Sequence, residues 1–133
     1  MTREDRIVKR AFLSEAAVLF AACAVMEPPQ GGPKDETPPE VLSIVPEPGS
    51  AGVSSDASIR ISFSEKIDGD SFKKRVAVYP PLEFDKVGAK GAEFEMRFKE
   101  AIPETTVCVM IRSGYTDYHK VKSRKDISFC FAT

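Results

Sequence analysis

Apolar and polar residues alternate along most of the chain beyond residue 40. Ile59, Ile61 and Phe63 are separated by Arg60 and Ser62, and Phe94, Met96 and Phe98 by Glu95 and Arg97. A period of two puts successive side chains on opposite faces of an extended backbone, so each segment reads as a strand with one buried and one wet face. Val41 to Val45, Val76 to Tyr79, Glu83 to Val87, Val107 to Ile111 and Ile127 to Phe131 bring the set to seven. Turn-forming residues separate them at Pro46-Glu47-Pro48-Gly49, Asp68-Gly69-Asp70, Pro80-Pro81, Gly88 to Gly91, Pro103 and Ser113-Gly114. Short strands punctuated at such intervals predict an all-β, antiparallel sandwich, with no sizeable helix after residue 39.

The first 26 residues carry a different pattern. Val8, Phe12, Ala16, Leu19, Cys23 and Met26 recur at steps of three or four, the stripe of an amphipathic helix. A second reading fits the same residues. Arg3, Arg6, Lys9 and Arg10 give a basic start, Ala16 to Ala22 is apolar, and small residues precede a cysteine, as in a secretory signal. Leu19-Phe20-Ala21-Ala22-Cys23 resembles the lipobox of bacterial lipoproteins, which implies a signal peptide over residues 1–22 and lipidation of Cys23. Ser14 and Glu15 interrupt the apolar run, and Phe20 stands where leucine is usual, so the helix remains the alternative. A spanning helix needs about 20 apolar residues, and this run is shorter.

From Ala24 to Pro39 there are five prolines and two glycines, with no apolar period after Met26. Such a stretch buries too little to fold, so residues 23–37 are expected to form an extended Pro/Gly-rich tether ahead of a domain at 38–133. At about 3.1 Å per residue in a polyproline conformation, it reaches on the order of 50 Å.

Composition limits what such a domain does. A chain of 133 residues, 42% hydrophobic and 29% charged, suits a single folded domain. A net charge of −1 gives no reason to expect nucleic-acid binding. The basic clusters Lys73-Lys74-Arg75 and Lys120 to Lys125 read as solvated loops. The sole histidine, His119, lies in a lysine-rich loop, leaving no base beside a nucleophile and no zinc-ligand spacing. Glu65, Asp68 and Asp70 put oxygens on one loop, as a calcium site needs, but a glycine-containing turn is the preferred reading. No cofactor, no metal and no enzymatic activity are therefore expected.

The order of the motifs carries a family likeness. Pro38-Pro39-Glu40-Val41, then Pro46-Glu47-Pro48-Gly49-Ser50, then Ile59-Arg60-Ile61-Ser62-Phe63-Ser64-Glu65 resemble the start of bacterial Ig-like domains of the S-layer SbsA type. The similarity continues through Val78-Tyr79-Pro80-Pro81, Pro103-Glu104-Thr105-Thr106, Gly114 with Asp117, and Phe129-Cys130-Phe131-Ala132-Thr133. It departs at Tyr118-His119-Lys120-Val121-Lys122, where a glycine and asparagine turn is usual. Cys23 followed by Gly31 to Pro39 is also similar to lipoproteins that carry this domain directly after their anchor. The resemblance implies a non-catalytic Ig-like sandwich in the bacterial cell envelope, lipid-anchored and either periplasmic or surface-exposed.

Two cysteines remain. Pairing Val107 with Phe131, Val109 with Phe129 and Ile111 with Ile127 gives an all-apolar face and sets Cys108 opposite Cys130. Opposed residues lie about 4.5 to 5.5 Å apart at Cα, within disulfide reach, and an oxidising compartment favours the bond. Two free thiols acting as small hydrophobes are the alternative. Tyr115, Asp117, Tyr118 and His119 form the candidate ligand loop. The leading functional expectation is a membrane-tethered spacer, adhesion or assembly module, with an envelope protein or glycan as partner. Alternatives are a lipoprotein that binds glycan or peptide through its end loops, and an accessory domain of a larger envelope enzyme. Thr133 follows the last expected strand at once, as it would in a fragment of a longer protein or a very short gene product.

Overall fold

A computed structural model describes residues 31–133 of the protein. Residues 31–34 are exposed and carry neither helix nor strand, and Asp35–Thr133 forms a compact unit of its own. The expected signal peptide, Cys23 and the first part of the expected tether lie outside the described residues. Among the described residues no helix is long and apolar enough to cross a membrane.

Seven strands build the unit: β1 (Val41–Val45), β2 (Ile59–Phe63), β3 (Val76–Tyr79), β4 (Phe84–Lys90), β5 (Glu93–Phe98), β6 (Thr106–Ile111) and β7 (Ile127–Ala132). They pair in two sheets, β1-β2-β5-β4 and β3-β6-β7. Every pairing is antiparallel. This is the strand order of a constant-type immunoglobulin sandwich, in which strands one, two, five and four face strands three, six and seven. Alternation decides which side faces inward. Ile59, Ile61 and Phe63 of β2, Phe94 and Met96 of β5, Val107, Val109 and Ile111 of β6, and Phe129 and Phe131 of β7 are all buried in one core between the sheets. The register of β6 on β7 is the expected one, with Val107 opposite Phe131, Val109 opposite Phe129 and Ile111 opposite Ile127.

The turn expected at Asp68-Gly69-Asp70 is instead a helix, α1 (Gly69–Lys73). Asp68 caps it, with backbone at φ −71° and ψ 100° and a carboxylate that accepts the Ser71 N–H at 3.3 Å. Capping satisfies a donor that the first helical turn leaves free. What holds so short a helix is Phe72, fully buried with its ring centroid 4.3 Å from Phe94 and 5.4 Å from Phe63.

The strand expected at Glu83 to Val87 runs on to Lys90, through Gly88, and closes in a tight turn at Gly91-Ala92. Gly91 has φ 63°, a conformation that costs any residue with a Cβ. Sheet edges are protected in two ways. β4 carries ion pairs to β5 at Lys86–Glu95 (2.9 Å), Arg97–Asp85 (2.5 Å) and Lys99–Glu83 across the end of the ladder (3.0 Å). Exposed pairs of this kind add little stability, but charge discourages pairing with another chain. The outer edge of β7 is covered by the loop after β1, where Gly49 N–H donates to Cys130 O (2.7 Å) and Val53 N–H to Ala132 O (3.0 Å).

Candidate functional site

At one end of the sandwich the chain leaving β2 meets the long loop between β6 and β7. Asp68 N–H donates to Thr116 O at 2.9 Å and Tyr118 N–H to Lys66 O at 3.2 Å, so the two segments pair like a short continuation of the sheets. The loop folds on itself as a miniature hairpin. Gly114 N–H donates to Ser123 O (3.0 Å), Ser123 N–H to Tyr115 O (2.8 Å) and Asp117 N–H to Val121 O (3.2 Å). Lys120 adopts φ 67° at the turn, the left-handed position that a glycine or asparagine takes more easily. Its ammonium is held 2.8 Å from Asp68 Oδ2, which draws the Asp68 carboxyl below the usual aspartate range and the Lys120 ammonium above the usual lysine range.

Asp117 is the centre of this hairpin and is 0% exposed. Its Oδ1 accepts the Val121 N–H at 2.9 Å, which fixes the turn. Its Oδ2 is buried and has no hydrogen-bond partner. Three further groups converge on it: Glu65 from the end of β2, His119 from the hairpin tip, and Asp35 from the segment before β1. Each of the four offers one ligand-type atom, and these atoms all lie within 4.8 Å of one another. Asp35 is oriented from both sides, with Oδ1 accepting the Thr37 N–H at 3.0 Å and Oδ2 lying 3.3 Å from His119 Nδ1. Burial, followed by the adjoining Asp117 carboxyl, pushes Glu65 above the ordinary glutamate range.

The structure divides the residues of the candidate ligand loop. Tyr118 (67% exposed) and His119 are accessible, whereas Tyr115 is only 2% exposed and its ring is turned to the core. Its ring packs 4.9 Å from Phe72 and 5.8 Å from Phe63, and burial raises its phenol above the usual tyrosine range. Asp117 is likewise withdrawn from the surface and can meet only something small enough to sit among Asp35, Glu65 and His119. Of the acidic run after β2, Asp68 caps α1, Asp70 lies exposed on it and only Glu65 joins the cluster. Asp35 was not foreseen as a site residue, and no signal in the sequence points to it.

Cys108 and Cys130 stand opposite each other on β6 and β7 with Cα atoms 4.0 Å apart and their sulfurs bonded. Both are half-buried on the sheet face away from the core. Cys108 thus offers no thiolate for chemistry. Beside the hairpin, a cleft of about 700 Å³ lies between the start of β1 and the start of β7, lined by Pro39, Ile44, Tyr115, Asp126 and Ile127 among others.

The family model described as bacterial Ig-like domain matches residues 35–133. No curated protein matches the chain.

Proposed function

Because the chain belongs to the bacterial Ig-like domain family, we propose that it is a membrane-tethered module of the cell envelope, acting as a spacer, adhesive element or assembly contact. Domains of this family are typically non-catalytic and belong to envelope or adhesion proteins. The fine placement as an S-layer-type domain in a lipoprotein rests on the sequence. Cys23 ends a lipobox-like pentapeptide, the Pro/Gly-rich stretch of residues 23–37 follows it, and the Ig-like domain comes next. That order carries the reading: an anchor, a spacer and a sandwich make sense together as a module held off a membrane. Residues 31–34, exposed and without helix or strand, are in keeping with the end of such a spacer.

A role as a specific glycan or peptide receptor is less well supported, because Tyr115 is spent on the core and leaves Tyr118 as the accessible aromatic of the loop. The deciding experiment is metabolic labelling of the full chain in a bacterial host with a fatty-acid analogue, beside a Cys23→Ser variant. Label on the natural chain, absent from the variant and accompanied by its release from membranes, is the expected result. An unlabelled natural chain would remove the anchor from the proposal.

A further inference from the structure

Asp117 Oδ2 is the one carboxylate oxygen that is both buried and without a partner among the described residues. A buried carboxylate oxygen left so is costly unless a proton or a cation meets it. The Asp117 carboxylate is clustered with two more carboxylates, Glu65 and Asp35, and the imidazole of His119. Lys120, at the turn of the hairpin, is directed to Asp68. Atoms bound to one transition ion at about 2.0 to 2.2 Å lie no more than about 4 to 4.4 Å apart. The donor atoms here all lie within 4.8 Å of one another, so side-chain rotations that draw the widest pairs together bring the four to one centre.

We propose that Asp35, Glu65, Asp117 and His119 form a binding site for a divalent first-row transition ion, of which Zn²⁺ and Mn²⁺ are the best candidates. The donor set decides the class. Three carboxylates suit hard and borderline cations, but an imidazole nitrogen disfavours Ca²⁺ and Mg²⁺ and suits the transition metals. The four ligands come from three separated segments: the stretch before β1, the exit of β2 and the hairpin after β6. The ion therefore acts as a clamp, fastening the start of the domain and the hairpin to the end of β2. This inference is independent of the lipid anchor. It concerns residues on the folded domain, and its test does not depend on where the protein resides.

The test is calorimetric titration of the full, chelator-treated chain with ZnCl₂, MnCl₂ and CaCl₂, with Cys23 alkylated so that its thiol takes no metal. Binding of one Zn²⁺ or Mn²⁺ per chain, tighter than Ca²⁺ and accompanied by a rise in the unfolding midpoint that chelator reverses, is expected. His119→Ala, at an exposed position, and Asp117→Asn, which keeps the acceptor for Val121 N–H, should each weaken binding by about tenfold or more. No binding of any of the three ions by the natural chain overturns the proposal. So does binding that both variants leave unchanged, which would put the ion elsewhere. A preference for Ca²⁺ overturns the assignment of the metal class.

Discussion

Cys108 and Cys130 face each other across β6 and β7 at a Cα separation of 4.0 Å, on the side of the sheet away from the core. Their link is therefore made within one sheet, and the core between the sheets is filled by apolar side chains alone at those levels, Val107 and Val109 on one strand and Phe129 and Phe131 on the other.

The bond closes a loop of sequence separation 22, and cross-linking a loop of that length lowers the entropy of the unfolded chain by about 3 kcal/mol. Replacing both cysteines by alanine should cost about that much in denaturant unfolding, with the fold retained because no core side chain is touched. Mass measurement of non-reduced, alkylated protein should find the reagent on neither Cys108 nor Cys130. Reagent on both would contradict the pairing.

Gly91 and Gly88 offer a paired test of the β4–β5 hairpin. Gly91 sits at φ 63° with open space where a Cβ would go, so any penalty at that position is conformational. Gly88 lies within β4, also open, without a positive φ. Gly91→Ala should lose about 1 kcal/mol, and Gly88→Ala should be neutral or gain a few tenths by restricting the unfolded chain. Denaturation midpoints of the two variants, measured side by side, check the ordering.

Strands were legible wherever one face is core and the other water. Ile59-Arg60-Ile61-Ser62-Phe63 can satisfy that demand only as a strand, and aligning Val107 with Phe131 leaves one register for β6 and β7. Helix α1 was not legible, because five residues are too few to show a helical period and Asp68-Gly69-Asp70 reads equally well as a turn. Only the burial of Phe72, a tertiary fact, tips the balance. The cluster around Asp117 was hidden for a stronger reason. Asp35, Glu65 and the pair Asp117 and His119 lie on three segments whose meeting depends on the whole topology. Asp35 also falls in a stretch whose prolines and charges read as tether.

Asp126 gives the pH response a defined direction. Its Oδ1 accepts the Ser113 N–H at 2.7 Å, and that donation holds the carboxyl below the usual aspartate range. A carboxyl that ionises more easily folded than unfolded contributes stability above the unfolded value of about 3.9 and loses it as pH falls through the lower folded value. Asp126→Asn should therefore be less stable than the natural chain at neutral pH, with the gap closing as the solution is taken below about pH 4. Urea unfolding at pH 7, 5 and 3 checks this, and a gap that widens toward acid would contradict the assignment.

The two tyrosines of the end loop should separate core from surface. Tyr115 is 2% exposed and set edge-on against Phe63 and Phe72, at interplanar angles of 63° and 71°. Ser123, which neighbours its hydroxyl, accepts the Gly114 N–H through Oγ at 2.8 Å. Truncating a buried ring of this size leaves a cavity among aromatic neighbours, so Tyr115→Ala should cost about 3 kcal/mol or more. Tyr115→Phe removes only the hydroxyl and should cost about 1 kcal/mol. Tyr118 is 67% exposed and ties into the structure through its backbone, so Tyr118→Ala should shift stability by no more than about 0.5 kcal/mol. The pair also governs how any binding assay on this loop must be read. A loss of partner binding in Tyr115→Ala reports an unsettled hairpin, whereas a loss in Tyr118→Ala with an unchanged unfolding midpoint reports a contact. Only the second outcome would restore the loop as a recognition surface.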